Sequence, residues 1–114
     1  MTDTGARRLL LACAKAMGQV AYWSPGLEPM GREPGMYLQG RLWNPLTSLA
    51  DATEMAIKLR IDVTWGRQNC TLVACSRGVY GLAVAITDFP TEQLAYCYAV
   101  CQVALRLSEV SHDR

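Results

Sequence analysis

Apolar residues recur along this 114-residue chain in two periods, one near 3.6 and one near 2, and the switches between them mark out eight elements. Ala6, Leu9, Leu10, Cys13, Ala14 and Met17 fall at i, i+3, i+4, i+7 spacing, which predicts a helix over 5–17 with one buried face. Arg7, Arg8 and Lys15 lie mostly off that face, Thr2 and Thr4 offer caps, and Gly18 stands just past the end. Residues 19–23 favour a pleated, half-buried surface and predict a short strand. Pro25, Gly26, Pro29, Gly31, Pro34 and Gly35 then break any regular element, so 24–35 is expected to be a mobile loop. Residues 36–43 resume as a strand or extended run, with Gly40 as a bulge or a point of close approach.

The clearest helix follows. Asn44-Pro45 enforces a turn, Ser48 can cap, and Asp51 stands three residues later, where a capping-box acid reaches back. Leu49, Ala52, Met55, Ala56 and Leu59 make the apolar stripe, while Glu54 and Lys58 form an i,i+4 ion pair off it. Alternating Ile61-Asp62-Val63-Thr64-Trp65 predicts a strand, and turn residues at 66–69 and 76–78 separate two more, over 70–75 and 79–87. A last helix is expected from a cap at Asp88, past Pro90 and Glu92, to about Glu109. Its apolar residues spread around most of the circumference. Either it is the central element of the core, or Tyr96, Val100, Val103 and Leu107 form an interface with a second copy.

The order α-β-β-α-β-β-β-α, with hairpin-length turns, points to an α+β layered sandwich, a mostly antiparallel sheet packed against helices. One domain over 1–114 is expected, with a frayed tail at 110–114.

Composition and its distribution sharpen this picture in four ways. Hydrophobic residues make up 51% and charged residues 18%, so a chain this small is expected to leave apolar surface facing a partner. The formal net charge of +1 gives no broad electrostatic grip on bulk nucleic acid or on an anionic membrane. The apolar runs are too short or interrupted to span a bilayer, and Lys15 and Asp3 argue for a first helix rather than a cleaved signal. Five cysteines, Cys13, Cys70, Cys75, Cys97 and Cys101, form no disulfide framework and are expected to be reduced and buried.

The candidate chemistry is sparse. Cys97 and Cys101 share a helix face, but a structural zinc site needs four ligands and the only histidine is His112, so no metal or other cofactor is expected. Without a histidine in the body of the chain, Cys–His and Ser–His–Asp arrangements have no base. No phosphate-binding glycine motif occurs. No enzyme is expected. The remaining candidates are aromatic residues and arginines on strands and adjoining turns. Trp23, Arg32, Tyr37, Arg41, Trp65, Arg67 and Arg77 could stack on a base and contact a phosphate, although strand tryptophans are more commonly half-buried core.

Trp43-Asn44-Pro45-Leu46-Thr47, Asp51-Ala52 and Lys58-Leu59-Arg60-Ile61-Asp62 form a block that resembles a family of small, uncharacterised phage and prophage proteins. Ala14-Lys15-Ala16-Met17-Gly18 adds to the match. The family is similar to the phage ABA-sandwich domain, in which a sheet lies between helical layers. The resemblance implies a phage origin, a place in the host cytoplasm and an accessory role in the infected cell; it supplies no catalytic residues. The resulting expectation is a non-enzymatic protein that binds a host protein, such as a component of a defence system of the CRISPR type, or a second copy of itself. A pocket that sequesters a small cyclic nucleotide signal is the alternative, and a DNA-associated regulator a third.

Overall fold

The computed structural model describes residues 3–24, 33–65, 71–76 and 80–112. Along the chain run α1 (Asp3–Ala16), β1 (Ala21–Ser24), β2 (Gly35–Leu38), β3 (Arg41–Leu42), α2 (Leu49–Leu59), β4 (Ile61–Trp65), β5 (Thr71–Ser76), β6 (Tyr80–Ala85), a 3-10 turn (Ile86–Asp88) and α3 (Glu92–His112). The loop expected over 24–35 and the turns expected over 66–69 and 76–78 fall mostly outside the described residues.

The helix boundaries follow local chemistry. Gly18 takes a left-handed φ of 74° just past α1, where the Gln19 amide donates to the Ala14 carbonyl and the Gly18 amide to Lys15. This 6→1 and 5→2 pair is the Schellman arrangement, which closes the orphan carbonyls of the last turn. At α2 the Ser48 Oγ accepts from the Asp51 amide at 3.2 Å. Its far end reverses at Arg60, held left-handed at φ 57°, so that β4 begins on the next residue. Helix α3 is capped by Thr91, whose Oγ1 accepts from the Leu94 amide at 3.1 Å, and not by the expected Asp88, which belongs to the 3-10 turn. It runs to His112, past the expected end near Glu109.

The α+β class holds, and every strand pairing among the described residues is antiparallel. The strands form two separate three-stranded sheets, β1-β2-β3 and β4-β5-β6, where a single sheet was expected. The run over 36–43 is not one strand. Gln39 and Gly40 both take positive φ, 53° and 81°, and turn β2 back on β3 with Leu38 opposite Arg41. Two left-handed residues define a type I′ turn, whose twist matches that of paired strands. Gly40 therefore makes a turn rather than a bulge.

Helix α3 is the centre of the molecule. It packs against α1, against α2 and against all three strands of the β4-β5-β6 sheet. A helix that meets two helices and a sheet at once must be apolar over most of its circumference, which explains its sequence. Val100 and Val103 are 0% and 1% exposed within the single chain, so they fill the core and cannot form the interface with a second copy. Leu107 packs half-buried against the same core. The β4-β5-β6 sheet turns Asp62, Thr64, Ala83 and Ala85 outward and exposed. The layering is thus the β4-β5-β6 sheet, helix α3, then α1 and α2, with the β1-β2-β3 sheet against α1, which differs from the single sheet between helical layers that the resemblance implies. No described helix is long and apolar enough to cross a membrane.

Candidate functional site

The distinctive block around residue 43 proves to be a structural clasp. Trp43 is buried and its amide donates to the Met36 carbonyl at 2.8 Å. The Asn44 Oδ1 accepts from the Leu46 amide, and the Asn44 carbonyl accepts from the Thr47 and Ser48 amides, so one residue holds the turn together. The Asp51 carboxylate does not reach back to Ser48 as a capping box would. It accepts instead from the Asn44 amide at 2.9 Å and from the Arg41 guanidinium at 3.4 Å. Arg41 also contacts Glu54 at 3.3 Å. The clasp fixes where the first turn of α2 sits, and so where Leu49 and Thr53 point.

A groove opens beside that turn. It has a volume of about 350 Å³ and is lined by Leu49 and Thr53 of α2, Trp65 at the end of β4, and Glu92, Gln93 and Tyr96 at the start of α3. Its size falls in the range of small-ligand and side-chain sites. Each lining residue arrives there for a local reason. Leu49 and Thr53 are one α-helical turn apart on one face, as are Glu92 and Tyr96. Trp65 falls at the same alternation as Ile61 and Val63, yet at the end of β4 it is 48% exposed. Leu49 begins the apolar stripe of α2 and is likewise 45% exposed. Among the described residues, Glu92 is the only charged side chain in the lining.

The other expected contact residues are dispersed. The Trp23 ring carries the Arg7 guanidinium at 3.8 Å from its centroid. Tyr37 is buried, stacks on Tyr22 with centroids 5.9 Å apart, and donates its hydroxyl to the Glu33 carbonyl, so it is a packing residue and not a contact surface. Arg41 is 54% exposed at the side chain but tied to two carboxylates. Arg32, Arg67 and Arg77 lie outside the described residues. Among the described residues singled out in the sequence, only Trp65 and Tyr96 come together in the groove. Leu49, Thr53, Glu92 and Gln93 were not anticipated as site residues; each carries a sufficient local explanation as stripe, helix or first-turn residue.

Cys13, Cys97 and Cys101 are free, fully buried thiols, the first on α1 and the other two on α3. The Cys13 Sγ donates to the Cys101 carbonyl at 3.5 Å. The hydrogen bond that the Cys101 thiol shares with the Cys13 sulfur favours its protonated form, and with burial it pushes that thiol well above its ordinary value. Burial pushes Cys97 up as well, with the Asp51 carboxylate adding to it and a backbone hydrogen bond opposing it. Such thiols are poor nucleophiles and poor metal ligands. Among the described residues no three His, Cys, Asp or Glu side chains come together in a metal-holding group. No protein family, characterised protein or solved structure matches the chain.

Proposed function

We propose that this protein acts without chemistry of its own, by docking a host protein in the groove between α2, β4 and α3. The observation that carries this reading is the exposure of Leu49 and Trp65 on the walls of one concave site. A buried aromatic anchored in a pocket is the usual centre of a protein interface, and a large apolar ring left in water at a groove has a cost that a partner would remove. Ile57, two turns along α2 from Leu49, is also exposed and extends the apolar track beyond the groove. The phage setting and an anti-defence role rest on the resemblance of the block over 43–62.

The charge of the site favours this over the alternatives. A nucleotide phosphate would meet Glu92, while Arg41 is engaged by Asp51 and Glu54. A two-fold dimer through the groove would bring the two Glu92 side chains towards the axis, an unfavourable pairing. Trp65→Ala is expected to weaken retention of one specific partner by at least ~30-fold, as loss of an interface anchor does. Its urea midpoint should stay close to wild type, because the ring is half in water already. Retention unchanged in Trp65→Ala and in Leu49→Asp would remove the docking reading.

A further inference from the structure

The groove is matched to a cation. Two aromatic residues, Trp65 and Tyr96, line it together with the carboxylate-bearing Glu92 and the polar Thr53 and Gln93. Aromatic faces attract cations through their quadrupole, and a carboxylate is acceptor-only, so the three groups favour the same kind of guest. The first turns of α2 and α3 bring partial positive charge, about half a unit each. Ser48 and Thr91 each satisfy one of the free amides there, and Asp51 places a carboxylate in the first turn of α2. Glu92 carries a full charge in the first turn of α3 and outweighs what remains, so the lining is negative among the described residues.

Resting on the docking reading above, we infer that the groove receives an arginine side chain, presented by the partner protein on a segment with apolar neighbours. A planar guanidinium can lie on an indole face and still direct its N–H groups at a carboxylate in the same plane, which a lysine ammonium does less well. The apolar neighbours would rest on Leu49 and on the exposed Ile57, so charge fixes the register and apolar contact supplies the area.

The test uses three short peptides, acetyl-Leu-Arg-Leu-amide and its counterparts with citrulline or glutamate at the centre. Binding is read by nuclear magnetic resonance from the Trp65 indole N–H and the Gln93 side-chain amide. Citrulline keeps the shape of arginine and removes the charge. The arginine peptide is expected to bind about 3- to 30-fold more tightly than the citrulline peptide, the combined worth of an exposed cation–π contact and an exposed ion pair. Glu92→Gln should bring the two peptides closer together, and the glutamate peptide should bind least. Equal binding of arginine and citrulline, tighter binding of glutamate, or no shift with any peptide would overturn the assignment. If that happens while Trp65→Ala still loses the partner, the docking reading stands and only the cation falls. If Trp65→Ala keeps the partner, the docking reading itself has failed.

Discussion

Asp51 shows how much one side chain can carry when its partners are set by a turn. Two of the groups it holds, the Asn44 amide and the Arg41 guanidinium, differ greatly in worth. Arg41 is mostly in water, and exposed pairs of this kind contribute about 0–1 kcal/mol. The Asn44 amide is partly buried and would be left unpaired if the carboxylate were removed. Asp51→Ala is therefore expected to cost about 2–3 kcal/mol in urea unfolding, and Arg41→Ala well under half of that. Equal costs would mean that the ion pair, not the backbone contact, dominates. Ser48 was legible as a cap because its partner is three residues away. The reach from Asp51 to Asn44 was not, because it depends on the whole turn at Pro45 being formed first. Arg60 offers a test of opposite sign. It is a non-glycine residue held left-handed, so Arg60→Gly should stabilise by roughly 0.5–1 kcal/mol, read as a higher urea midpoint.

At the scale of elements, helix α3 decides the architecture. Its sequence, apolar nearly all round, allowed either a central core helix or an interface with a second copy. Contacts with α1, α2 and the β4-β5-β6 sheet resolve that choice for Val100 and Val103, since these contacts use the surface an interface would need. Val100→Ala is expected to cost about 1–3 kcal/mol and to leave the mass measured by light scattering unchanged. A change in assembly without a change in stability would contradict this placement. Strand positions were readable from period-2 alternation, as at 61–65, but strand partners were not. Alternation fixes which side a residue faces, not which strand lies next to it, so two small sheets looked like one. The Gln39-Gly40 turn was missed for a related reason. Glycine signals a special backbone position, yet the second left-handed residue beside it is a glutamine, which gives no such signal.

The whole molecule is flat, with extents of 51 × 37 × 23 Å and a radius of gyration of 14.6 Å. A compact chain of this length would have a radius of about 13 Å. Its thin form leaves more apolar surface exposed, and the ends of α2, β4 and α3 are where that surface becomes concave. The buried thiols add a property of the folded state as a whole. The unfolded chain releases thiol protons near pH 8.5, whereas burial and hydrogen bonding hold Cys97 and Cys101 protonated to higher pH. Their contribution to stability is thus full below that pH and is lost as pH rises above it. The urea midpoint should fall between pH 7.5 and 9.5, and fall less steeply in Cys101→Ala. A midpoint with the same pH slope in both proteins would exclude that linkage. The composition gave notice that apolar surface would be left over, but no single residue in the sequence said where. Trp65 could be read either as a contact residue or as half-buried core, and its 48% exposure on a groove wall emerges only once α2, β4 and α3 are assembled.

The central claim is that this groove is where a partner protein sits. The most direct measurement places a photo-reactive benzoylphenylalanine at Thr53 or Gln93, on the groove, and at Thr64 or Ala83, on the outward face of the β4-β5-β6 sheet. Cross-linking is then carried out in the cells that naturally produce the protein. One defined adduct with a different protein is expected from the groove positions, absent from the sheet positions and lost when Trp65→Ala is added. Adducts of equal yield from both faces, or an adduct only with a second copy of this chain, would contradict the account.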